Sequence, residues 1–168
     1  MAAKPVPEPA DIDIAPIAPA GHLELYELFA EVVSRGDGFP QLPPLSWTVF
    51  DETWVRPVTV VVGARLCGNL VGAYYLKANF PGLGSHIANA GYVVALGHRR
   101  RGVGRKLVGD SIARAPSFGF DAIQFNFVFA DNPARSLYEE MGFEVIGRIP
   151  GALGDQDALI YWRRVSGE

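Results

Sequence analysis

The 168-residue chain contains one cysteine and two methionines, has no long apolar run, and carries charges that nearly cancel. A single Cys67 excludes an internal disulfide and a cysteine-rich zinc site; no metal is expected, and a reducing, cytoplasmic location fits. No stretch approaches the roughly 18 to 20 consecutive apolar residues of a spanning helix, so no membrane partner is expected. The first twenty residues hold one lysine, five prolines and no apolar run of signal-peptide length. Fifteen lysines and arginines against eighteen acids leave a net charge of −3, which argues against a nucleic-acid partner recruited by overall charge. What is present is core-forming material, with 49% of residues apolar and 20% charged. At this length one domain is the natural count, and about 68–70% of the unfolded surface is buried on folding.

The prolines Pro5, Pro7 and Pro9 predict a disordered tail over residues 1–10, with the domain occupying 11–168. Ile12 and Ile14 alternate with acids as a short strand, and Leu23, Tyr26, Phe29 and Val33 then repeat at helical spacing. A short helix is expected near Trp47 to Trp54. The β-branched run Val58 to Ala64 and the run Leu70 to Leu76 flank Cys67-Gly68-Asn69 as a hairpin. Ala90 to Ala95 reads as a strand, Gly102 to Ala115 as a helix that Pro116 stops, and Ala122 to Phe129 as a strand. In that last strand Ile123, Phe125, Phe127 and Phe129 form the apolar face and Asn126 points away from it. Asn132-Pro133 reads as a helix start and Gly142 as its stop, before strands Phe143 to Ile149 and Ala158 to Arg163. Seven strands with interspersed helices predict an α/β mixed sheet covered on both faces.

The densest chemical signal is His98-Arg99-Arg100-Arg101-Gly102-Val103-Gly104-Arg105-Lys106, between a strand end and a helix start. Six basic residues fall between Arg99 and Arg114 against the single acid Asp110, which makes a local anion site in an acidic chain. Glycines here leave the free N–H groups of the helix start open to a phosphate, which the helix dipole also favours. Gly97 and Gly102 have a Walker gap, but Val103 and Gly104 stand where Lys and Ser or Thr are required. Gly102-Val103-Gly104 begins a dinucleotide fingerprint whose third glycine is replaced by Leu107.

The pattern Arg99-x-x-Gly102-x-Gly104, followed after a strand by Asn132-x-Ala134-x-x-Leu137-Tyr138-x-x-x-Gly142-Phe143, resembles the GCN5-related N-acetyltransferase superfamily. The order of elements from Ile12 to Arg163 follows that superfamily as well. Leu96 departs from it, standing where many relatives carry proline. The resemblance implies acetyl-CoA as cofactor. Its pyrophosphate would lie on Arg99, Arg100, Arg101, Gly102, Val103, Gly104 and Arg105, and its pantetheine arm along Tyr92, Val93 and Val94, between splayed fourth and fifth strands. The backbone of Val94 would polarise the thioester carbonyl, Tyr138 would protonate the departing thiolate, and Asn132 would orient the helix end and the cofactor. A phenol, with a pKa near 10 against about 8.5 for a thiol, suits that work because it is not ionised at rest.

The acceptor amine needs a base, and His86 is the nearest titratable group upstream of the fourth strand. The segments Tyr74 to Gly82, Ser85 to Gly91 and Phe125 to Phe129 are similar to the fungal acetyltransferases that detoxify the proline analogue azetidine-2-carboxylate. That likeness implies that Asn89 and Asn126 hold the substrate carboxylate and ring, and it implies a homodimer. A competing reading has both asparagines satisfying backbone groups at strand ends. Glu24, Glu27, Glu31, Asp37, Asp51 and Glu52 form an acidic stretch, read either as a solvated face or as an attractor of cationic amines. The expectation is transfer of acetyl to the amine of a small-molecule substrate by direct attack in a ternary complex. Acetylation of a peptide or protein, or a non-catalytic module that binds coenzyme A or nucleic acid, stands as the alternative.

Overall fold

The computed structural model describes residues 11–36 and 38–167. The expected tail over 1–10, together with Asp37 and Glu168, lies outside the described residues. Seven strands form one sheet: β1 Ile12–Pro16, β2 Val60–Leu66, β3 Asn69–Ala78, β4 Ile87–Val94, β5 Ala122–Phe129, β6 Glu144–Leu153 and β7 Gln156–Arg164. Their spatial order is β1-β2-β3-β4-β5-β7-β6, and every neighbouring pair is antiparallel except β4 and β5. Parallel strands need a long crossover, which is supplied by α3, Val103–Arg114. The other helices are α1 His22–Ser34, α2 Trp47–Phe50, which runs on into a π-helical turn Asp51–Val55, and α4 Arg135–Glu140.

Both faces of the sheet are covered, as the alternation of β3 requires. Tyr74 and Leu76 point into a core with Val103, Leu107 and Val108 of α3, whereas Ala73 and Tyr75 point into a second core with Leu25, Phe29 and Trp54. Each of these large side chains contributes about 1.5–3 kcal/mol by leaving water. On α1 the buried stripe is Leu25, Leu28, Phe29, Val32 and Val33, at the i, i+3, i+4, i+7, i+8 spacing of one helix face. The predicted stripe was rotated from this one, because Leu23 is 59% exposed. The β2–β3 hairpin turns through Cys67 and Gly68, both at positive φ (51° and 84°), which matches the twist of the strands it joins.

Two expectations are corrected. In β5 the alternation breaks, because a bulge between Phe125 and Val128 lets Val128 face the core in place of Phe127, which is only half-buried. Asn132 does not open α4 directly. Its side chain accepts the Ala134 N–H at 2.9 Å and its carbonyl accepts from Arg135, forming a turn that precedes the helix.

Candidate active site

Strands β4 and β5 pair at only three positions, Ile87 with Ala122, Ala88 with Ile123 and Asn89 with Gln124. Beyond these they separate, although β3 stays paired to β4 as far as Val94. The peptide groups of residues 90–94 that point towards β5 therefore meet a gap rather than a ladder, and unpaired main chain inside a sheet is a ready partner for another extended amide chain. Of the three residues expected to line this gap, Tyr92 and Val94 turn their peptide groups towards it, whereas those of Val93 face β3, its carbonyl 2.9 Å from where a Cβ of Gly72 would stand. The Tyr92 ring packs edge-on against Phe125 and its hydroxyl shares a 2.7 Å hydrogen bond with Ser111, while Val93 is buried under α1.

The turn at the mouth of the gap is shaped by backbone that favours glycine. A 3-10 turn Leu96–His98 leads to Arg100 at φ 59° and Gly102 at φ 80°, which precedes α3 and gives it no side-chain cap. The first hydrogen bond of α3 runs from the Lys106 N–H to the Gly102 carbonyl, so the N–H groups of Val103, Gly104 and Arg105 have no acceptor within the helix. A Cβ at Gly104 would meet only Leu137 at 3.5 Å and Val94 at 3.9 Å, both ordinary contacts. Packing therefore does not require glycine there, and the space it leaves lies over the positive end of α3 beside exposed Arg99, Arg100 and Arg101. These residues fit a diphosphate. The half-exposed Arg105 guanidinium pairs with Glu140 of α4 and its Nη1 also touches the Met141 sulfur, while its backbone N–H is one of the three left bare at the start of α3.

Through Leu137 and the Arg105–Glu140 pair, α4 stands beside the start of α3 and brings Tyr138 to the same side. The Tyr138 ring is buried against Phe125 (4.7 Å between centroids), Tyr161 (5.8 Å) and Tyr92 (6.3 Å). Its hydroxyl has no hydrogen-bond partner among the described residues. Burial first, then the neighbouring Tyr161, push its pKa up to about 12, so the phenol keeps its proton through the physiological range. Tyr161 is fixed in turn, accepting from Arg135 at 3.0 Å and donating to Glu139 at 2.8 Å.

The closed end of the gap carries amides. Asn89, only 7% exposed, donates to the Gln124 carbonyl at 3.1 Å and accepts from the Tyr75 hydroxyl at 3.3 Å. It thus extends the β4–β5 pairing by a side-chain link at the point where the strands part, as the backbone-satisfying reading requires. Asn126 is exposed and exchanges two hydrogen bonds with Asn79, at 2.6 and 3.1 Å, while its Oδ1 accepts from Gln124 at 2.9 Å. Neither Asn79 nor Gln124 nor Tyr75 was singled out from the sequence. The available signal was the period of two: Gln124 precedes Asn126 by two residues and shares its face, as Tyr75 does with Lys77. His86 is not brought to the opening. It is exposed in the loop before β4, its Nδ1 lies 2.9 Å from the Leu83 carbonyl, and it precedes Asn89 by about 10 Å of extended chain on the far side of the paired positions. The acidic stretch reads as a solvated and structural face: Glu24 holds Arg65 and the Leu70 N–H, Asp51 pairs with Arg56, and Glu27, Glu31 and Glu52 are exposed.

Comparison with known proteins agrees with this geometry. Residues 23–143 match the model of the acetyltransferase (GNAT) family. The N-acetyltransferase aca1 of Schizosaccharomyces pombe is 41% identical over 120 residues, which cover 67% of this chain and 57% of that protein, so the match spans little more than half of the relative's length. A GCN5-related N-acetyltransferase from Kribbella flavida superposes with a TM-score of 0.85 at 32% identity, covering 94% of this chain and 99% of that one. The fold is also that of yncA from Salmonella typhimurium, solved with its cofactor acetyl-CoA, at a TM-score of 0.78 and 16% identity over 94% of this chain and 96% of that one. On the extent of the family match and the near-complete coverage of the Kribbella structure, the chain belongs to the acetyltransferase (GNAT) family.

Proposed function

We propose that residues 11–168 work as one catalytic domain that transfers acetyl from acetyl-CoA to the amine of a small amino or imino acid, by direct attack in a ternary complex. The observation that carries this reading is the gap between β4 and β5, which opens onto the uncapped N-terminus of α3. Support comes from aca1, a relative described as an N-acetyltransferase, and from yncA, a protein of the same fold solved with acetyl-CoA.

Acetyl-CoA supplies an activated acetyl thioester. The N–H groups of Val103, Gly104 and Arg105, with Arg99, Arg100 and Arg101, hold its diphosphate, and the main-chain groups that Tyr92 and Val94 turn towards β5 receive the pantetheine amides. The backbone of Val94 also donates to the thioester oxygen as charge develops there. Tyr138 donates its hydroxyl hydrogen to the sulfur as that atom becomes negative and takes back a proton from solvent to replace it, matching the one the acceptor amine gives up; with a pKa near 12 the phenol is restored and remains a donor at any working pH. Asn132 fixes the approach of α4 and thus the position of Tyr138. Asn126 contacts the acceptor carboxylate at the rim, and Asn89 holds the vertex of the gap while offering its second amide hydrogen inward. His86 takes no part, and the acceptor's proton leaves to solvent at the exposed rim. Rates therefore rise with pH as more amine is free, with no falling limb from Tyr138 below pH ~10. Azetidine-2-carboxylate and proline-like rings are the acceptors of choice, and the protein acts as a homodimer in the cytoplasm.

A free-thiol release assay over cyclic imino acids, linear amino acids and short peptides tests this reading. Turnover on the first two groups is expected. Turnover confined to peptides contradicts the small-molecule part, and no turnover with any amine contradicts the whole.

A further inference from the structure

On the α1 face of the sheet, side chains from three strands make one continuous polar floor. Tyr75 and Lys77 of β3 alternate onto this face with Asn89 of β4 and with Gln124 and Asn126 of β5. Lys77 is the register partner of Asn89, so the two side chains stand directly opposite one another. The Lys77 ammonium lies 5.2 Å from the centre of the Tyr75 ring, and the hydroxyl of that same ring donates to Asn89. From Asn89 the contacts continue through Gln124 to Asn126 and Asn79.

Lys77 differs from six arginines of the molecule in having no counter-charge among the described residues. Arg56, Arg65, Arg105, Arg114, Arg135 and Arg148 each pair with a carboxylate. Among the described residues no carboxylate lies within ion-pair distance of Lys77, whose only contact of this kind is the face of Tyr75. The ammonium is partly buried, and burial lowers its pKa. A cation held in this way, over a ring and beside amides, favours the arrival of an anion.

Building on the small-molecule reading above, we infer that the Lys77 ammonium binds the carboxylate of the acceptor, making an amino or imino acid anion, and not a neutral amine or an amidated chain, the preferred substrate. The carboxylate lies between Lys77 and the amides of Asn126 and Asn79. The amine of the same small molecule then reaches the gap above Asn89, so one short acceptor spans from the cation to the thioester. A peptide N-terminus, whose first carbonyl is an amide, lacks the anion at that distance.

The test compares azetidine-2-carboxylate with its neutral carboxamide as acceptors for the full-length wild type, Lys77→Gln and Lys77→Arg, measured by thiol release, with acetyl-CoA KM as the control. The wild type is expected to favour the acid about tenfold or more in kcat/KM, in line with a charged hydrogen bond. Lys77→Gln erases that preference through a raised acid KM, leaving the carboxamide and acetyl-CoA values within about twofold, and Lys77→Arg keeps most of it. If Lys77→Gln fails to fold, the preference of Lys77→Arg decides alone, and its loss overturns the inference. A wild type that uses both acceptors equally, or a Lys77→Gln that slows both equally, overturns the Lys77 assignment while leaving the small-molecule reading in place. A wild type that acetylates neither compound overturns both.

Discussion

The mouth of the β4–β5 gap is lined by main chain, and its closed end by side chains. At the mouth, Gly102 and Gly104 matter for what they leave bare, and the N–H groups of α3 point outward whatever residues follow. At the closed end, Asn89, Gln124, Asn126, Tyr75 and Lys77 matter for what they carry, and each holds its place only because three strands keep a particular register. A site built from backbone tolerates change around it but not on its glycines. A site built from side chains fails when a neighbour pushes one of them.

Tyr138→Phe tests the chemical step that links the two ends and carries the largest effect. It removes only the hydroxyl, so kcat falls about 100-fold while acetyl-CoA affinity, read by titration calorimetry, holds within about twofold. Full retention of kcat removes Tyr138 from the mechanism. Gly91→Ala breaks the closed end: a Cβ there would come within 2.7–2.9 Å of the Tyr75 ring and hydroxyl, displacing the group that holds Asn89. Overpacking of this kind costs about 1–3 kcal/mol, seen as a lower Tm, and it raises the acceptor KM while sparing acetyl-CoA affinity. Gly104→Ala sharpens the contrast at the mouth, where the added methyl meets nothing closer than 3.5 Å. The unliganded protein should gain about 0.5–1 kcal/mol of helix stability, a rise of a few degrees in Tm, yet bind acetyl-CoA about tenfold more weakly. A fall in Tm would mean that the fold, and not a ligand, requires glycine there.

Glu24→Gln lies far from both ends and gives the smallest change. Chiefly the hydrogen bond from Arg65 lowers the Glu24 pKa, an effect that outweighs burial, and the Leu70 N–H adds to it. A depressed carboxyl contributes stability that is present above its ordinary pKa of 4.5 and lost as pH falls through the lowered value. With both partners substantially exposed, the expected loss in the variant at pH 7 is about 1 kcal/mol or less. Thermal melts of wild type and variant should therefore converge as pH falls from 4.5 through the lowered value.

The same contrast explains what could be read in the chain beforehand. Gly102-Val103-Gly104 with its arginines is a local signal, and the α3 terminus stands where that signal put it. The succession of strands along the chain followed from alternation and turn residues such as Cys67-Gly68, because these are also local. The rest depended on partners distant in sequence. The carboxylate partner of Arg105, Glu140, lies 35 residues away and is invisible until α4 folds against α3. Phe127 was placed in the core because a bulge leaves no mark on a period-two pattern. Asn89 and Asn126 drew notice as amides, but Asn79, 47 residues from Asn126, became its partner only through the fold of the loop after β3. The significance of Lys77 lies in facing Asn89 across two strands, a partner that only the register of β3 and β4 supplies.

The claim that a thioester donor enters between β4 and β5 with its diphosphate on the bare start of α3 is tested most directly by calorimetric titration of acetyl-CoA into wild type and Gly104→Glu. Saturable one-to-one binding to the wild type, weakened at least about 100-fold in a variant whose melting curve shows it folded, is the predicted result. Equal affinity in the two proteins would contradict the account, because a carboxylate beside those N–H groups cannot share them with a diphosphate.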